Sequence, residues 1–254
     1  MTIILSPRFS ENLRALSTAL REFEAQDPFI QSGSSGGRPV RGDYPFWLHR
    51  RTAAAWTALA LILRDQFASG AADFSLAYGL LRHMLENYAD LYNAWATRGR
   101  SYLYWRFLRE ESAGRPSDEA FRLLREHLPL WAEHRGRDGR TRRANRLTRY
   151  FRMAPLPETL ARQLPELPAL HRDIRAIDAR ASAAFHSNSP DFLRDVPACA
   201  EELLLTMHVI LASSLAVVSA VYGDPWSYDL RGRVWTPLLS DIVLLRKGLA
   251  FSVK

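Results

Sequence analysis

A chain of 254 residues with 47% apolar and 24% charged residues has the composition of a globular protein, which excludes a disordered or low-complexity chain. Its single cysteine, Cys199, excludes a disulfide-stapled secreted scaffold. A net charge of +7 favours polyanionic partners, and all but two of its 34 basic residues are Arg, whose planar fork suits phosphate, although a GC-rich genome also enriches arginine.

In chain order, residues 1–10 form too short an apolar run for a signal peptide, so the expected location is cytoplasmic. Residues 6–25 carry Phe9, Leu13, Leu16, Leu20 and Phe23 at helical spacing. A Gly/Ser-rich stretch at 31–42 reads as a flexible loop; without a preceding strand or a following Lys-Ser/Thr it is no phosphate loop. A second helix is expected from Asp43 to about residue 68, with Pro45 in its first turn. A third, over about 73–97, is expected to bury Leu76, Leu80, Met84, Tyr88, Leu91 and Trp95.

An aromatic helix over 101–111 and another from Ser117-Asp118 to about residue 134 follow. Residues 135–152 hold eight Arg and one acid; Arg142, Arg143, Arg146, Arg149 and Arg152 repeat at helical spacing beside Tyr150 and Phe151. Guanidiniums interleaved with aromatics suit a surface that follows phosphates and stacks bases, and a solvated charge run has the same composition. Four prolines, at 155, 157, 165 and 168, punctuate a connector before helical spacing resumes over 169–186, where Ser187-Asn188-Ser189-Pro190 stops it.

Residues 196–222 are the longest apolar helix. Their stretch 203–222 is uncharged and long enough to span a bilayer, but His208 and several hydroxyls are embedded in it and no basic cluster flanks it. A buried bundle-core helix looks the same, and the expectation is a protein with no membrane attachment. A last helix is expected over about 237–250. The sum is an all-α fold, an antiparallel helical bundle in a single domain over 1–254, with a long buried apolar helix near the C-terminus.

Chemistry concentrates at two places. Arg180 and His186 lie six residues apart near the end of the 169–186 helix, about 120° apart around its axis, with small residues Ala181, Ser182, Ala183 and Ala184 between them. A histidine there can act as acid or base near neutral pH, and an arginine can hold a phosphate. Packing or helix capping is the ordinary alternative for both. The second place is Arg82 and Glu86, an i, i+4 pair beside His83; it is either a helix-surface ion pair or a pair that orients His186 on a neighbouring helix. No metal site is expected, since there is no Cys pair, no His-x3-His and no His-Glu-x-x-His, and no nucleotide-cofactor glycine fingerprint occurs.

The spacing Arg180-x5-His186 resembles the motif of HEPN domains, helical bundles of bacterial defence and toxin systems. The chain is also similar to an uncharacterised group of all-helical prokaryotic proteins. That group carries an Arg-x3-Glu helix, here Arg82 to Glu86, and a Ser-x3-His-Ser helix, here Ser182 to Ser187. The HEPN resemblance implies a metal-independent endoribonuclease or toxin-type effector acting on RNA, without cofactor. It implies a homodimer whose composite site uses Arg180 and His186 of both protomers. Ala181 departs from the pattern, because active members usually place a polar residue after the arginine. The alternative is a non-catalytic helical module that binds nucleic acid or protein.

Overall fold

The structure, a computed structural model, describes residues 2–25, 43–70, 74–96, 110, 113–114, 117–127, 158–185, 195–222 and 231–254. The expected loop at 31–42, most of the 101–111 helix, the basic segment 135–152 with Arg142, Arg143, Arg146, Arg149 and Arg152, and His186 lie outside these residues.

The described chain is mostly helical, and the long apolar helix stands near the C-terminus as expected. Its helices are α1 (Pro7–Ala25), α2 (Asp43–Ser69), α3 (Ser75–Ala96), α4 (Asp118–His127), α5 (Glu158–Gln163), α6 (Leu167–Phe185), α7 (Val196–Tyr222) and α8 (Thr236–Arg246). Two short strands, β1 (Ile3–Leu5) and β2 (Phe251–Val253), pair antiparallel. Helix α2 packs chiefly on α3. Helix α6 lies on α3, and α7 lies on both α3 and α2. Helices α1 and α8 close the far side, against α2 and α7 respectively and against each other.

The central place of α3 revises its expected stripe. Met84, Tyr88 and Leu91 are buried as expected, but Leu76 is 55% exposed. Ala77, Tyr78, Leu81 and Leu85 are inside instead, because α2, α6 and α7 cover this helix over more than one face. Helix α7 behaves as a core helix: its 22-residue window Val196–Val217 is long and apolar enough to cross a membrane, and 83% of it is buried within the fold.

Local signals set the helix ends. The Asp195 carboxylate accepts from the Ala198 amide at 3.0 Å and caps α7. The Ser117 hydroxyl accepts from Ala120 at 3.2 Å and caps α4. Helix α8 has no side-chain cap, because the π-helical turn Arg231–Trp235 runs straight into it and supplies the preceding carbonyls. Its C-terminus ends at Gly248, whose φ of 64° suits a residue without Cβ. There the Leu249 amide reaches back to the Leu244 carbonyl at 2.8 Å. Leu167 opens α6 two residues before the expected start, since Pro168 fits a first helical turn, where no amide donor is needed.

Candidate functional site

Helix α6 is laid on the core by Leu167, Leu170, Ile174, Ile177, Ala181 and Ala184, all buried and spaced three or four apart. This stripe fixes where the other side chains emerge. Asp178 and Ser182, four residues apart, share one edge of the helix. Arg180, two residues from each, emerges on the opposite edge, since each residue turns the helix by about 100°.

On the first edge, Arg82 of α3 meets α6. Its Nη1 donates to the Ser182 hydroxyl at 3.3 Å, and its Nε stands 3.3 Å from Asp178 Oδ1 and 3.7 Å from Glu86 Oε1. The guanidinium is about one-third exposed, with a side-chain exposure of 34%. Partial burial pushes the Asp178 carboxyl up and Glu86 adds to the shift, while the charge of Arg82 opposes it. Beside them, Arg51 Nη2 lies 3.3 Å from His83 Nε2. Burial and the Arg51 charge push the His83 imidazole down while Glu86 opposes them, and its Nε2 accepts from the guanidinium.

On the opposite edge, Arg180 engages Glu202 of α7 through two atoms, Nη2 to Oε2 at 2.5 Å and Nε to Oε1 at 3.3 Å. The Tyr78 hydroxyl donates to the same Oε1 at 3.2 Å and fixes the carboxylate from the α3 side. Hydrogen bonding to Glu202 raises the affinity of Arg180 for its proton. Burial and the Glu202 charge push the Tyr78 hydroxyl up. Burial also pushes the Cys199 thiol up, which makes Cys199 a poor nucleophile.

Of the residues singled out in the sequence, the structure brings Arg82, Glu86 and Ser182 together. It places Arg180 in a separate pair with Glu202. The last helical residue of α6, Phe185, directly precedes His186. Sequence reasoning missed Asp178, Glu202 and Tyr78. Asp178 had a usable signal, its i, i+4 spacing to Ser182 on an apolar-striped helix. Glu202 had none, since a charge at the mouth of an apolar helix reads as a solvated flank.

Three further polar clusters lie in the core. Tyr88 donates to His171 Nε2 at 2.7 Å, and Tyr92 meets the same ring edge-on. His49 Nδ1 lies 2.8 Å from the Ser214 hydroxyl. Asp241, fully buried, accepts from Asn12 at 2.6 Å and faces His208 Nε2 at 3.5 Å, while His208 Nδ1 donates to the Leu204 carbonyl at 2.6 Å. Among the described residues, no group of three or more His, Cys, Asp and Glu side chains is arranged to hold a metal ion. Compared with protein-family models, curated proteins and solved structures, the chain finds no match.

Proposed function

We propose that the chain is a HEPN-like, metal-independent endoribonuclease or toxin-type effector acting on RNA in the cytoplasm, with a site at the closing turns of α6. The observation that carries this reading is the contact of Arg82 with Ser182 there, three residues before Phe185 ends the helix and four before His186. In sequence His186 follows Ser182 by four residues and Arg180 by six. Arg180 is the guanidinium for the scissile phosphate in this reading, and Arg82 with Glu86 has the supporting role of orienting His186.

In this reading His186 takes the proton from a ribose 2′-hydroxyl. The freed oxygen attacks the adjacent phosphorus, the bond to the 5′-oxygen breaks as that oxygen takes up a proton from His186 of the partner protomer or from water, and a 2′,3′-cyclic phosphate and a 5′-hydroxyl result. Arg180 holds the charge that builds on the phosphoryl oxygens, and no metal is required. The segment with Arg142, Arg143, Arg146, Arg149 and Arg152 gathers RNA, and a homodimer assembles the site. A non-catalytic helical module binding nucleic acid or protein is the second reading. It is favoured by the pairing of Arg180 with Glu202, which occupies one face of the guanidinium fork.

The test is RNA cleavage in chelator by the full chain and by His186→Ala. The expected result is loss of cleavage by about a hundredfold or more, with oligonucleotide affinity kept within about twofold of the parent. Undiminished cleavage by His186→Ala removes the catalytic reading. A parent that binds RNA without cleaving it establishes the second.

A further inference from the structure

We infer that Glu202 is an internal competitor for the anion that Arg180 receives, so that a phosphodiester binds this edge of α6 by displacing a carboxylate already seated on the guanidinium. The inference rests on the reading that Arg180 meets a phosphate. Three features carry it. The carboxylate takes Nε and Nη2 together, the parallel two-point contact with which an arginine also grips a phosphate. The acid is held from behind: Tyr78 donates to its Oε1, and Glu202 is 24% exposed against 47% for Arg180. The partner facing solvent is therefore the guanidinium, and the acid is built into the wall formed by α3 and α7. Finally, the pair reaches solvent on the guanidinium side and is screened by salt there, so a polyanion that contacts several arginines at once competes with the single carboxylate.

The sequence of α6 and α7 places the two partners 22 residues apart on different helices, and the fold alone brings them together. Asp178 and Glu86 lie on Arg82, and Asp173, ion-paired with Arg172, adds a lesser charge effect at Arg180. Neutralising Glu202 therefore frees one guanidinium and leaves the Arg82 cluster unchanged. Glu202→Gln preserves the shape of the side chain and an oxygen that accepts from Tyr78, so packing at the start of α7 is retained.

The experiment measures binding of a short fluorescent oligoribonucleotide with 2′-O-methyl riboses, which cannot be cleaved. It compares the full chain with Glu202→Gln, Arg180→Ala and the double variant, at low and moderate salt, with helical circular dichroism to verify folding. Glu202→Gln is expected to bind about five- to tenfold more tightly than the parent, and the gain is expected to vanish in the double variant. Tyr78→Phe, which loosens the carboxylate without removing its charge, gives a smaller gain in the same direction. Glu202→Gln binding no better than the parent, including no detectable binding by either, overturns the inference. A gain that persists without Arg180 overturns it too, because the effect is then one of net charge. A parallel assay of the same variants on unmodified RNA separates the two readings: cleavage that needs Arg180 but ignores Glu202 retains the ribonuclease reading and discards the competitor. A gain routed through Arg180 without cleavage does the reverse.

Discussion

His49 and His171 are both pushed down to about 4 by burial, one against Ser214 and the other under Tyr88 and Tyr92. A neutral His171 accepts a hydrogen bond from Tyr88, and burial raises the Tyr88 hydroxyl so that it stays protonated and donates. In the unfolded chain an imidazole titrates near 6.5, so below that pH the unfolded state takes up protons that the fold refuses. The stability contributed by keeping these rings neutral is intact above about 6.5 and lost as pH falls towards about 4, at a limiting slope on the order of 1 kcal/mol per pH unit for each ring. Denaturant unfolding between pH 7 and 4.5 checks this. Replacing His171 by Gln, which still accepts from Tyr88, is expected to flatten the profile by up to one proton. An unchanged slope refutes the assignment.

Helix α6 shows how an element sets the geometry of a site. Ala181 is fully buried where α6 lies on α3, so its missing bulk is what allows the backbones to approach and Arg82 to span the gap to Asp178 and Ser182. Ala181→Leu is expected to cost about 1–3 kcal/mol by overpacking, whereas Ala179→Leu, on an exposed position, is expected to stay within about 0.5 kcal/mol of the parent. Equal midpoints in urea for the two variants contradict this packing. Such helices were legible in the sequence where an apolar period ran long: α7 starts and ends at the expected residues, and α2 begins at Asp43 as read. Helix α5, six residues within a proline-rich connector, was not, because so short a helix carries little period of its own. The same limit applies to the site. Arg82, Glu86 and Ser182 stood out by spacing within single helices. Glu202, Tyr78 and the Asn12–Asp241–His208 cluster depend on which helices meet, and local periodicity does not encode that.

At the scale of the whole molecule, the two chain ends meet. Strand β1 pairs with β2 in the register Ile3 with Val253, Ile4 with Ser252 and Leu5 with Phe251. The sequence offered no sign of it, since three-residue strands show no useful alternation and their partners are about 250 residues apart. Thr2 and Lys254 exchange backbone hydrogen bonds at 2.8 and 2.9 Å, and the Ser6 amide donates to the Ala250 carbonyl at 2.8 Å. Antiparallel pairs alternate between bonded and non-bonded, so Ile4 and Ser252 form the bonded pair between these two. The ribbon secures the start of α1 to the end of α8 and covers Ile3, which is 4% exposed. Beneath it, Asn12 of α1 binds Asp241 of α8, and Asp241 faces His208 of α7 with no exposure to water. A fraying ribbon would let α1 and α8 separate and admit water to a buried acid, a costly exchange of partners. Ser252→Pro removes the amide that Ile4 needs and is expected to lower stability by about 2 kcal/mol, or about 4–8 °C in melting temperature for a domain of this size. Ser252→Thr retains the amide, suits a strand and sits on an exposed position, so it is expected to leave the melt unchanged. Hydrogen exchange locates the effect: protection is lost first at the amides of Thr2, Ser6 and Lys254, and later at Asn12. If Ser252→Pro melts with the parent, the ribbon is an ornament on the bundle and α1 is held by its apolar face alone.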